Sequence, residues 1–209
     1  MTEDPELMDL MARSGCLGHV IGFESVVPES LRAMGKTPNL AAAEDRYRGA
    51  VDVLRRHGLQ TWAAFTLGHD GDTLESIRAT AEFAIESRFA FAAFNQLVPY
   101  PGTPLHRRLA AEGRLLHGGR WWLDPAYRFN DAPFVPRNLP ADALAAACRD
   151  ARERFTSFPS QLRRFLDSRT HLRSPRRMAI YWAYNALVRR EVRRKDRMRL
   201  GLAEADPAR

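Results

Sequence analysis

Cysteine is scarce in this 209-residue chain: Cys16 and Cys148 are the only two, too far apart to suggest a chelating spacing. The six histidines are scattered and form no H-x-x-x-H pair. A self-contained metal motif and a disulfide framework are both excluded as readings of the sequence. No apolar run approaches the roughly 18 residues of a membrane-spanning helix. The longest is 179–188, and the amino terminus has no charged-then-apolar signal pattern. These absences lead to the expectation of a soluble, cytoplasmic, bacterial-type protein. Hydrophobic residues make up 45% of the chain and charged ones 27%, which excludes collagen-like, fibrous and wholly disordered classes. The length suits one domain, or one domain with an appendage.

The net charge of +7 is unevenly distributed. Residues 161–200 hold thirteen basic and three acidic side chains, a local balance of +10 that leaves the rest of the chain at −3. Such a block is either a solvated helix face or a surface for nucleic acid, anionic lipid or an acidic partner.

The patterning predicts alternating helices and strands. Asp4-Pro5 is an N-cap and N1 pair opening a helix that Gly15 ends. A buried strand follows over Cys16–Phe23, then a helical turn over Pro28–Met34. A helix capped by Asn39 carries Tyr47, Ala50, Val51 and Leu54 on one face and closes at Gly58. Strand Leu59–Leu67 is followed by Gly68-His69-Asp70-Gly71-Asp72, with Asp72 placed to cap a helix running from Thr73 to about Arg88. Strand Phe89–Leu97 leads through a proline-rich loop into a helix over Leu105–Glu112. This alternation implies right-handed crossovers and a parallel sheet. Fully apolar strands need both faces and both edges covered, so three of them make an incomplete object, and Cys16–Phe23 is expected to expose an edge.

After Gly113 the alternation stops. Trp121-Trp122 and the prolines at 125, 133, 136 and 140 predict an irregular layer. A helix over Ala141–Ser157 follows, with Cys148 on its core face as a small apolar residue. Next come a short helix around Leu162–Leu166 and a longer one from Pro175, where Met178, Tyr181, Tyr184, Val188 and Val192 form a stripe flanked by arginines. That stripe either docks on its own domain or lies at an anionic bilayer surface, in the second case as a peripheral contact at the inner membrane.

Ligands of parallel α/β folds lie at the carboxyl ends of the strands. Three loops qualify: Gly22–Ser25, Gly68–Thr73, and Asn95-Gln96 with Pro99–Pro104. Glu24 there either accepts hydrogen bonds from hydroxyls or an ammonium, or only caps the following helix.

The segments Asp4-Pro5-Glu6-Leu7, Ile21–Ser25 (IGFES), Leu31–Lys36 (LRAMGK), Gly68–Thr73 (GHDGDT) and Pro99–Leu105 (PYPGTPL), in this order, resemble the second half of a radical S-adenosylmethionine (SAM) enzyme. The resemblance is nearest to the cobalamin-binding group, which includes methyltransferases and cyclases. It implies three parallel βα units of a partial barrel over 1–113, an irregular and helical extension over 114–160, and a basic helical tail over 161–209. It further implies SAM contacts at Glu24, Ser25, Lys36, Gly68 and Asp70, and substrate contacts at Asn95, Gln96 and Tyr100. His69 departs from the apolar residue or proline more usual at its position. The family's [4Fe–4S] cluster is held by a C-x-x-x-C-x-x-C loop that this chain lacks. Cluster and cobalamin are therefore expected not to bind this chain, and no metal ligand or catalytic residue is assigned within it. Its expected partner is a missing N-terminal half, on a separate chain or in an upstream frame. The competing reading is a non-catalytic module whose basic tail meets a membrane or nucleic acid. Nucleic acid is the weaker version, because the tail lacks interleaved stacking aromatics.

Overall fold

The computed structural model describes residues 2–34 and 43–199; the Asn39 cap and Lys36 lie outside them. Among the described residues, three parallel strands, β1 (Gly18–Glu24), β2 (Gln60–Leu67) and β3 (Phe91–Gln96), pair in the order β1-β2-β3. The helices are α1 (Pro5–Arg13), α2 (Pro28–Ala33), α3 (Ala43–Arg56), α4 (Leu74–Glu86), α5 (Pro104–Ala111), α6 (Ala141–Thr156), α7 (Phe158–Phe165) and α8 (Pro175–Lys195). Single-turn 3-10 segments at His117–Gly119 and Trp121–Leu123 make up part of the irregular layer, where the Trp121 and Trp122 rings meet edge to face at 4.7 Å.

Local chemistry explains most of the boundaries. Asp4 caps α1 by accepting from the Leu7 amide at 3.0 Å. α4 is capped by Thr73, reciprocally with Ser76, and not by Asp72 as the sequence suggests. Asp72 instead accepts from the Gly68 and His69 amides (2.8 and 2.9 Å) and from the Ser30 hydroxyl (2.7 Å), tying the β2–α4 loop to α2. α7 begins directly after α6 at a Ser157 cap and holds Pro159 in its first turn, so it is longer than the expected Leu162–Leu166 helix.

Both crossover helices lie on the same side of the sheet. Tyr47 and Val51 of α3, Ile77, Ala81 and Ala84 of α4, and Leu144, Cys148 and Phe155 of α6 share one core with the sheet. One phenylalanine from each strand reaches that core: Phe65 stacks between Phe23 (5.7 Å) and Phe94 (5.5 Å). Burying each contributes about 1.5–3 kcal/mol. The opposite face is only partly covered. Side chains alternate along each strand, so this face carries Val20 and Gly22 of β1, Trp62, Ala64 and Thr66 of β2, and Phe91, Ala93 and Asn95 of β3. Val20 is 76% exposed. The strands are thus dry on one side only, where their apolar composition predicts burial on both.

The two edges also differ. Beyond β3, side chains satisfy the backbone carbonyls: Arg164 and Asn185 donate to Ala90 (3.3 and 3.1 Å) and Arg152 to Phe94 (2.9 Å). No strand among the described residues lies beyond β1.

The stripe on α8 docks on its own domain. Tyr181 is buried and donates to the Gln161 carbonyl at 2.8 Å, Tyr184 packs on Trp62 at 4.8 Å, and Val188 and Val192 line a cleft beside β3. Arg164 is fully buried among these helices, with its guanidinium 3.7 Å above the Phe155 ring. It donates to the carbonyls of Phe89 and Phe155 and to Asn185 Oδ1. Burial lowers its pKa to about 10, so it remains charged at neutral pH. Part of the basic segment is therefore interior structure.

Candidate functional site at the carboxyl ends of the strands

The half-open face ends in a polar rim. A β-bulge after Gly22 leaves Glu24 with φ +65°, a left-handed conformation, and its carboxylate accepts from the Thr66 hydroxyl at 3.1 Å. A methyl group on Gly22 would lie 2.6 Å from Glu24 Oε1, so the glycine makes room for the carboxylate to lie over the strand. Gly22, Ala64 and Ala93 stand side by side across the three strands, a row of small residues one step below Thr66 and Asn95. Trp62 and Phe91 bound that row from below. Ser25 is buried and accepts from the Val27 amide at 3.0 Å, which shapes the turn after Glu24.

The second loop is rigid. Asp72 clamps its start. Asp70 is engaged by Arg114 Nη2 at 2.6 Å and by Arg108, while Asn138 donates to its carbonyl at 2.8 Å. Burial alone would raise the Asp70 carboxyl, but the hydrogen bonds from Arg114 and Arg108 outweigh it and hold the pKa below the ordinary value. Gly68 has φ +107°, and a side chain there would strike Leu144. Between this loop, α2 and α5 lies a cleft of about 360 Å³, lined in part by Met34, Thr66, His69, Leu105 and Phe134. His69 Nε2 is buried without a hydrogen-bond partner among the described residues. Burial lowers the imidazole pKa against the pull of Asp72, Glu24 and Asp70, so the ring is neutral at pH 7.

The third loop separates residues that adjoin in sequence. Asn95 lies exposed on the half-open face, level with Thr66, whereas Gln96 points to the core side and donates to the Asp131 carbonyl at 3.0 Å. Tyr100 is 63% exposed in the turn that Thr103 closes. The site thus brings together Glu24, Thr66 and Asn95, with Gly68 and His69 beside them; Asp70 is held by Arg108 and Arg114, and Gln96 donates to Asp131 while its buried Oε1 has no hydrogen-bond partner among the described residues. Thr66 and the small-residue row carry no motif. Aligning alternate positions of the three predicted strands is the signal that finds them.

Three thiolates for a cluster are not present. Cys148 is buried on α6 with its thiol pushed up to about 12 by burial, Cys16 precedes β1, and no group of three metal-binding side chains occurs among the described residues. The residues of this chain do not fit a [4Fe–4S] cluster. The rim offers a carboxylate acceptor, an amide and a hydroxyl above a floor of small residues.

The fold defines a parallel α/β unit wound on one side, with the loops that follow its strands gathered at one end. Its relatives are methyltransferases. Over 142 residues, or 68% of this chain, it is 37% identical to the bacteriochlorophyllide d C-12(1)-methyltransferase of Chlorobaculum tepidum. Over 161 residues it is 28% identical to the hopanoid C-2 methylase of Rhodopseudomonas palustris. Over 117 residues it is 30% identical to the cytidylyl-2-hydroxyethylphosphonate methyltransferase of Streptomyces wedmorensis. The aligned segments cover 77% and 53% of this chain in the second and third cases. They span only 29%, 28% and 21% of the three relatives' own lengths. No family model matches the chain. No helix among the described residues is long and apolar enough to cross a membrane.

Proposed function

We propose that these residues form the second half of the partial barrel of a cobalamin-type radical SAM methyltransferase, and supply SAM and substrate contacts at the carboxyl ends of β1, β2 and β3. One observation carries the reading: the crossover helices α3 and α4, together with α6, pack on one side of the sheet, and the other side, which α8 reaches at Trp62 and along β3, bears the small-residue row beneath Glu24, Thr66 and Asn95. A sheet wound in one direction covers one face with helices and leaves the other to be filled by barrel closure. The names of the relatives support methyl transfer.

Bound SAM supplies the one-carbon and radical chemistry; the cluster, cobalamin and remaining strands belong to polypeptide outside these 209 residues. Within the chain, the Glu24 carboxylate accepts from ligand hydroxyls or an ammonium while Thr66 holds its orientation. Ser25 fixes the turn, and Gly68 permits close approach of backbone to ligand. Asn95 and Tyr100 face the substrate. Asp70, held by Arg108 and Arg114, keeps the second loop in place.

Titrating SAM into isotope-labelled protein tests this by amide chemical shifts. The expected outcome is perturbation confined to 21–27, 64–69 and 93–100, abolished by Glu24→Gln. Shifts centred elsewhere, or none at millimolar SAM, refute the assignment.

A further inference from the structure

The stripe on α8 is consumed by docking, but another surface of the basic segment is not. α7 turns Phe158 and Leu162 outward, 55% and 42% exposed, and Leu166 at its carboxyl cap is 56% exposed, each four residues after the last. Phe158 stacks on Trp182 of α8 at 6.2 Å, which joins this apolar ledge to the neighbouring helix. From Trp182 the same side of α8 continues through Ala186 to Arg189, Arg190 and Arg193. With Gln161 of α7 and Arg194, these line an open trough of about 780 Å³. Arg194 pairs with Glu191 at 2.8 Å, whereas Arg189, Arg190 and Arg193 have no carboxylate within 4.0 Å among the described residues.

We propose that this surface docks the protein on an anionic lipid bilayer, with Phe158, Leu162 and Leu166 entering the headgroup boundary while the α8 arginines meet lipid phosphates. Charge decides the occupant. A second copy would bring the same arginines against themselves, and an acidic protein partner leaves the aliphatic ledge without a counterpart in the absence of a matching groove. A nucleic acid offers phosphates but nothing that rewards burying Leu162 and Leu166. A bilayer supplies both parts at once: an apolar boundary, and a dense plane of negative charge. The ledge is also placed for it. α7 sits where Arg164 meets the Phe89 and Ala90 carbonyls, at the amino end of β3, so a docked protein keeps the Glu24–Thr66 rim away from the lipid. The inference is independent of the reaction proposed above.

Co-sedimentation with vesicles of phosphatidylcholine, alone and mixed equally with phosphatidylglycerol, tests it. The protein is expected to pellet with the mixed vesicles only, and to be released as salt rises from about 0.1 M to about 1 M and the screening length falls from about 10 Å to about 3 Å. Each arginine near such a surface is worth about a fivefold change in partitioning, so Arg189→Gln, Arg190→Gln and Arg193→Gln combined should weaken binding by about a hundredfold. Leu162→Ser with Leu166→Ser should weaken it by at least about tenfold. The replaced side chains are exposed except for the half-buried Arg189, and urea melts matching the parent keep loss of fold from passing as loss of binding. The proposal is overturned by no pelleting with mixed vesicles, by equal pelleting with phosphatidylcholine alone, by a leucine variant that binds like the parent, or by a duplex oligonucleotide that competes the protein off the vesicles.

Discussion

Acid should loosen this protein through one buried imidazole. His171 is fully buried, 4.5 Å from the Tyr181 ring, with Nδ1 3.0 Å from Gln60 Nε2 and Nε2 3.0 Å from the Arg88 carbonyl. An amide N–H can only donate and a carbonyl can only accept, so the ring is the neutral Nε2–H tautomer. Burial lowers its pKa from 6.5 to about 4, with Arg164 and Arg55 acting in the same direction and the Arg88 carbonyl and Asp167 opposing. Between those values the unfolded chain holds a proton that the folded chain rejects. The stabilisation is therefore complete above about pH 6.5 and is lost as the pH falls to about 4. A displacement of roughly 2.5 pH units, at about 1.4 kcal/mol per unit, amounts to about 3 kcal/mol. That is a large share of the roughly 5–15 kcal/mol of a typical domain. Urea unfolding at a series of pH values, on the parent and on His171→Gln, measures it. The parent should lose about 3 kcal/mol more than the variant on acidification, since His69 and the carboxylates titrate in both. Parallel stability curves for the two proteins across this range would refute the reasoning.

Four further outcomes follow from the packing. Arg164→Met strips the donors from the Phe89 and Phe155 carbonyls and should cost at least about 3 kcal/mol in urea melts; a loss under about 1 kcal/mol would mean that the buried guanidinium holds nothing together. Gly22→Ala pushes the Glu24 carboxylate off the strand and should abolish the SAM-induced shifts while the melt stays near the parent's, because the clash is with the far end of a flexible side chain. Gly18→Ala is the contrasting case: the added methyl would meet the Gln60 carbonyl oxygen at 2.0 Å, so the β1–β2 pairing itself should fail, seen as loss of the cooperative transition. A thiol reagent should label Cys16 in the folded protein and reach Cys148 only on unfolding, as mass spectrometry of native and urea-treated samples would show.

Much of the architecture is local and therefore readable from the chain. Asp4-Pro5 sets α1 because an N-cap acts within three residues, and the 3.6-residue periodicity of Leu144, Cys148, Ala151 and Phe155 marks the buried side of α6. The three loops at the strand ends, and the placement of Glu24 in one of them, likewise follow from the order of strands and helices. Tertiary structure decided the rest, because those choices depend on partners distant in sequence. Asp72 lies where a cap would lie, yet Ser30, 42 residues earlier, claims one oxygen and the Gly68 and His69 amides the other. Asn95 and Gln96 are neighbours that the pleat sends to opposite faces. The sequence offered two fates for the α8 stripe; Trp62 and the buried Asn185–Ala90 contact chose docking. Apolar composition alone predicts strands buried on both faces, but only the winding of α3 and α4 onto one side reveals which face is left partly covered, since a run of apolar residues carries hydrophobicity and not direction.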